Sequence, residues 1–284
     1  MDNQQELFGI KIDSVCMDQA VDRVQEWVEA TDRPAAGDCK YVVTPNVDHA
    51  VLLSENELLQ AAYSEASMIL ADGHPIVWAS KLLRRPLPER VPGSELVPKI
   101  FARYNANEKP LRVFLLGAAE GVGARAAERM KEQWPHVQTV GVYSPPMGFE
   151  KDPAETDIIL ERIADCYPDV VVIGLGAPKQ EIWIHNNRER MVAKSAFCVG
   201  ATIDFLAGEK KRAPIWMQKF GIEWLHRMLS EPKRLVKRYA KDAWIFPQLV
   251  LRQMMGRMQQ YGYCLLYTSP SPRDQRGSRM PSSA

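Results

Sequence analysis

No stretch of eighteen uninterrupted apolar residues occurs in the 284-residue chain, so no segment reads as a helix that spans a bilayer. The polar opening MDNQQELFGIKID has no apolar signal-peptide core. Cysteine is scarce and scattered: Cys16, Cys39, Cys166, Cys198 and Cys264 form no CxxC pair. That argues against a disulfide framework or a zinc site and reads as reduced thiols in a cytosolic protein. Net charge is nearly absent, at +1 from 36 Lys and Arg against 35 Asp and Glu, so no global field draws nucleic acid or an acidic partner. The balance is uneven along the chain. Residues 210–260 carry twelve Lys and Arg against three Asp and Glu (Glu223, Glu231, Asp242), which leaves the remainder acidic.

What is present is ample for a core, with 46% hydrophobic residues. Short β-branched or aliphatic runs at 40–46, 67–73, 111–117, 138–144, 168–176 and 195–201 read as strands. Helical patterns fall between them at 14–30, 47–65, 74–84, 93–107, 121–134, 154–167 and 179–192. Alternation of helices with continuously apolar strands implies an α/β fold, Rossmann-like, with a mostly parallel sheet and helices on both faces. From residue 209 the texture changes to helical pieces punctuated by Pro214, Gly221, Pro232 and Pro247, with aromatics interleaved among basic residues. The expected organisation is an α/β catalytic core over 1–208, a helical basic appendage over 209–262, and a disordered tail over 263–284. That tail is rich in Ser, Pro and Arg and resembles a translated adapter read-through more than a natural terminus.

In open parallel sheets ligands sit beyond the carboxyl ends of the strands. That rule gathers Thr44, Asn46, Asp72, Gly117, Gly176, Lys179 and Gln180 around one crevice. Several of these admit two readings. "LLGAAEGVGARAAERM" (115–130) is either a tight turn into a helix or a phosphate or sugar contact at a helix N-terminus. Its glycines at 117, 121 and 123 do not make the dinucleotide fingerprint. In "VVIGLGAPKQEIWIHNN" (171–187), Lys179, Gln180 and Glu181 are either solvated first-turn residues or site residues. Asp72, in "ADGHP", is either a helix N-cap or a general base in a partly dry crevice. Arg90, in a Pro-bounded loop, is either a surface residue or a bidentate anion contact. The appendage is either a helical pair packed on the core or a surface suited to an anionic leaflet, and both can hold. Asp-x-Asp, a pair that many nucleotide-sugar enzymes use to hold a metal, is missing.

The segments "TPNVDHAVLL" (44–53), "ADGHPIVWASKLL" (71–83), "PERVPGSEL" (88–96), "VFLLGAAEGV" (113–122), "GLGAPKQEIWI" (174–184) and "GATIDFLAGEKKRAPIWMQKFGIEWLHRMLSEPKRLVKRY" (200–239) resemble the WecG/TagA/CpsF family of bacterial glycosyltransferases. The likeness implies an inverting, metal-independent hexosyl transfer with no cofactor. A sugar moves from a UDP-sugar to a polyprenyl-diphosphate-linked saccharide at the inner face of the cytoplasmic membrane. The products are teichoic acid, enterobacterial common antigen or exopolysaccharide. It implies Asp72 as base, with Thr44, Arg90 and Gln180 lining the pocket. It also implies an appendage that touches membrane and contacts diphosphate through Arg227, Arg234, Lys237 and Arg238. His74-Pro75 departs from the family pattern. The donor stays open among N-acetylmannosamine, its uronic acid and a hexose, and homo-oligomerisation stays open too. Two rival classes are an NAD-type Rossmann oxidoreductase, which would need the missing fingerprint, and a non-catalytic nucleotide-sugar-binding protein, which would bind UDP without transfer.

Overall fold

A computed structural model describes residues 4–210, 212–214, 216–217 and 221–267, with the side chains of Arg234 and of residues 257–267 outside that description. The chain opens with an antiparallel hairpin, β1 (Gln4–Leu7) and β2 (Ile10–Asp13). Both turn residues, Phe8 and Gly9, have positive φ, the geometry whose twist matches paired strands. The remaining strands are β3 (Lys40–Val43), β4 (Met68–Ile69), β5 (Leu111–Gly117), β6 (Val137–Tyr143), β7 (Val170–Gly174) and β8 (Ser195–Cys198). They form one six-stranded sheet in the order β4-β3-β8-β7-β5-β6, and every pairing is parallel.

Side chains alternate across a strand, and here the alternation feeds two cores. Tyr41, Val43, Phe114, Leu116, Val171 and Ile173 enter one apolar cluster. Val42, Val113, Leu115, Val170, Val172 and Phe197 enter the other. The second cluster is closed by α1 (Met17–Glu29), α5 (Gly93–Ala106), α6 (Val122–Gln133) and α9 (Thr202–Ala207). The first is closed by α2 (Val47–Leu53), α3 (Glu57–Ser64), α4 (His74–Leu82), α7 (Pro153–Cys166) and α8 (Lys179–Asn187). Continuous apolar strands thus follow from two covered faces. The helix expected over 47–65 is two helices. Asn56 caps the second by accepting from the Leu59 N–H at 3.0 Å.

After Gly208 the chain leaves the sheet and forms α10 (Glu223–Ser230) and α11 (Pro232–Tyr267). The last helix continues past residue 262, and residues 268–284 of the expected tail lie outside the described residues. The appendage returns onto the core. Phe246, Val250 and Met254 pack against the first apolar cluster. The Phe246 ring lies 5.1 Å from Phe8. Gln253 accepts from the Phe8 N–H at 3.1 Å and donates to the Glu6 carbonyl at 3.0 Å.

Candidate active site

Because the six strands are parallel, their carboxyl ends share one edge. The backbone there is drawn tight. A Cβ on Gly117 would lie 2.6 Å from the Gly174 carbonyl oxygen, and one on Gly174 would lie 2.8 Å from that of Gly200. Gly117 therefore serves the close approach of β5 and β7. Beyond β4 the ladder continues: Leu70 N–H donates to Val43 O at 3.0 Å and Asp72 N–H to Pro45 O at 2.8 Å. This fixes Asp72 beside the exit of β3. The α4 N-cap is Gly73, and no side chain caps that helix. Asp72 is therefore not a cap, and its carboxylate faces a cavity of about 380 Å³.

The core contributes Asn46, Asp72, His74 and Arg90 to this cavity, and the appendage contributes Glu223 and Arg227. Burial pushes the Asp72 carboxyl up to about 6. The Arg227 and Arg90 guanidinium groups oppose that rise, whereas Glu223 and Glu95 add to it. Arg90 is held bidirectionally, at 2.6 Å from Glu95 Oε1 and 3.5 Å from Glu223 Oε2. His74 is pushed below its ordinary value by burial and by Arg90. Asn46 lines the cavity and caps α2, accepting from the His49 N–H at 3.3 Å. A second cavity of about 680 Å³ adjoins at His74 and Arg90. It is the more basic of the two, with Lys99, Arg129 and Arg212 on its walls.

Thr44 and Gln180 are buried behind this edge. Thr44 Oγ1 donates to the Cys198 carbonyl at 3.3 Å. The Gln180 carbonyl oxygen accepts from Gly176 N–H at 3.2 Å and Gly200 N–H at 3.3 Å, so one amide latches the loops after β7 and β8 together. The Gln180 amide nitrogen donates to Glu181 Oε1 at 2.7 Å. Glu181 is fully buried, its Oε2 has no partner, and burial pushes its carboxyl up to about 7. Lys179 instead pairs with Glu150 at 2.6 Å on the surface. Arg238 lines the cavity and lies 3.5 Å from Asp48. Lys237 is exposed and does not line it, and the Arg234 side chain lies outside the described residues.

Cavity-lining residues absent from the sequence expectations are Asp48, Glu223, Trp224, Tyr239 and Asp242. A signal for some of them existed. Glu223 and Arg227 are spaced i, i+4, as are Arg238 and Asp242, and Tyr239, Asp242, Ala243 and Phe246 share a helical face. Among the described residues no group of three or more His, Cys, Asp or Glu side chains is placed to hold a metal ion. No described helix is long and apolar enough to cross a membrane.

A parallel sheet whose carboxyl edge presents one uncapped carboxylate flanked by guanidinium groups is a site fit for group transfer from an anionic substrate. The chain belongs to the glycosyl transferase WecG/TagA/CpsF family, whose family model matches residues 5–260. It is a glycosyltransferase. It is similar to an N-acetylglucosaminyldiphosphoundecaprenol N-acetyl-beta-D-mannosaminyltransferase of Bacillus spizizenii, with 36% identity over 68% of this chain and 72% of that one. It is similar also to a protein of the same name in Staphylococcus aureus strain MRSA252, with 30% identity over 81% of this chain and 86% of that one.

Proposed function

We propose that the chain transfers a sugar from a UDP-sugar to a saccharide linked to a polyprenyl diphosphate, with inversion at the anomeric carbon. The observation that carries this reading is the Asp72 carboxylate, uncapped and half-buried between Arg90 and Arg227. In a single displacement the acceptor hydroxyl attacks the anomeric carbon of the donor. Asp72 takes the hydroxyl proton, the bond to the diphosphate oxygen breaks, and UDP leaves. One carboxylate suffices, since inversion needs no covalent intermediate. Charge developing on the leaving diphosphate is met by Arg90 and Arg227. Thr44, Gln180, Gly117 and Gly176 hold the strand ends at which the substrates seat. Asn46 presents its side chain to the cavity.

The two relatives, each an N-acetyl-beta-D-mannosaminyltransferase by name, support N-acetylmannosamine as the sugar and an N-acetylglucosaminyl diphospholipid as the acceptor. A lipid-linked acceptor supports a reaction at a membrane surface, which we read as the inner leaflet of the cytoplasmic membrane. The appendage is suited to such a surface: Trp244, Leu251 and Met255 are exposed alongside Lys237 and Arg252. A transfer assay with a panel of UDP-sugars and a short-chain lipid diphosphate acceptor, read by mass, tests the reading. One added N-acetylhexosamine from UDP-N-acetylmannosamine is expected. No mass gain with any donor would overturn it.

A further inference from the structure

Other residues lining the cavity bring a different chemistry from that of Arg90 and Arg227. Asp242, on α11, is one of them and is only 5% exposed. Among the described residues no hydrogen bond and no ion pair within 4.0 Å reaches its carboxylate. Asp48, on α2, is 9% exposed, and its one ion pair, with Arg238, is 3.5 Å long. Arg238 Nε is buried without a partner. Buried polar groups are ordinarily satisfied, so open hydrogen-bonding capacity on a cavity wall calls for a ligand. Beside these groups stand two aromatic rings, Trp224 and Tyr239, edge to face with centroids 6.2 Å apart.

We infer that Asp48, Asp242, Trp224 and Tyr239 form a pyranose subsite, which holds the hydroxyl-bearing ring of one of the two substrates beside Asp72. The inference rests on the sugar-transfer reading and deepens it. Carboxylates accept hydrogen bonds from sugar hydroxyls, and an aromatic face covers the apolar C–H face of the ring. Two carboxylates on one wall repel a phosphate. The cavity is thus divided, with the diphosphate at the Arg90 and Arg227 end and the neutral ring at the acidic, aromatic end. The carboxyls of both Asp48 and Asp242 are raised by burial first, Asp48 adds to the rise at Asp242, and Arg238 and Lys241 oppose it. Because Asp48 belongs to the core and Asp242 to the appendage, the subsite is complete only with α11 in place.

Both substrates carry a sugar, and paired calorimetric titrations of the full chain separate them. One pair is UDP and UDP-N-acetylmannosamine. The other is a short prenyl diphosphate with and without its N-acetylglucosamine. The sugar-bearing member should bind more tightly in one pair, which identifies the ring that occupies the subsite. Asp242→Ala should weaken that member by about tenfold, the loss expected for a hydrogen bond to a charged group. It should leave the sugar-free member unchanged, and Asp48→Asn should act in the same sense. An equal effect on both members with a lowered melting temperature would show a mere tether between α2 and α11. A sugar increment that survives Asp242→Ala in both pairs, or no increment in the unaltered chain, would also overturn the inference. None of these outcomes depends on turnover, so failure here leaves the transfer assay to judge the transferase reading.

Discussion

Arg90 of the core stands 3.5 Å from Glu223 of the appendage while holding Glu95 at 2.6 Å. One guanidinium is thus shared between two carboxylates on separate segments, at the rim of the cavity that contains Asp72. A planar fork of five donors can serve two carboxylates and a diphosphate in turn, which an ammonium cannot. The longer contact, to Glu223, is the one an incoming phosphate can displace.

Arg90→Ala should lower kcat/KM for transfer by about 100-fold, the size of a lost donor to developing charge. Arg90→Lys should recover only part of it, because the charge returns without the fork. Steady-state kinetics on the two variants check this; full recovery by Lys would reduce Arg90 to a point charge.

The acid limb of the rate should fall near pH 6. Asp72 must be ionised to accept a proton, and its carboxyl lies at about 6. Activity is therefore level above that value and declines tenfold per pH unit below it. Arg227 lowers this value, so Arg227→Ala should move the limb to higher pH. A kcat/KM profile of both proteins checks the direction.

Glu181 ties stability to pH. Between the ordinary Glu range and about 7 the folded chain holds a proton that the unfolded chain has released. The stabilisation is present in full at low pH and is lost as pH rises through that window. Asp72 and Asp242 act in the same sense, so the comparison must be with a variant. Glu181→Gln keeps an acceptor for the Gln180 amide and cannot ionise. Its melting temperature should fall less than that of the unaltered chain between pH 5 and pH 8.

The exposed face of α11 should carry the affinity for membrane. Trp244 is 75% exposed and Leu251 54%, so replacing both with Ser should cost little fold stability. Sedimentation with anionic vesicles should decrease for Trp244→Ser/Leu251→Ser, and raised salt should weaken binding by either protein.

The sheet was legible because β5 and β7 are largely apolar on both faces and end at glycine, and β8 is buried throughout with Gly200 two residues beyond its end, so periodicity and punctuation agree. The hairpin was not, because its turn is Phe8-Gly9 rather than the Asn-Gly that such turns favour. The break within 47–65 rests on Asn56, a cap that lies inside an otherwise continuous apolar pattern. Gln180 admits a solvated first-turn reading and a site reading, and its side chain is turned inward because the Gly176 and Gly200 N–H groups need an acceptor. Asp72 could be located from the strand rule, but setting aside its reading as a helix cap required the α4 N-terminus itself. The appendage half of the cavity depends on how α10 and α11 dock, and local spacing shows a face without showing what it meets.

The most direct test of the account compares the unaltered chain with Asp72→Asn in the transfer assay. UDP-N-acetylmannosamine and a short lipid diphosphate N-acetylglucosamine are the substrates, and product is read by mass. The unaltered chain should transfer the sugar, and Asp72→Asn should be slower by at least about 100-fold, with melting temperature and UDP affinity kept. Transfer by Asp72→Asn at the unaltered rate would contradict the assignment of Asp72 as base.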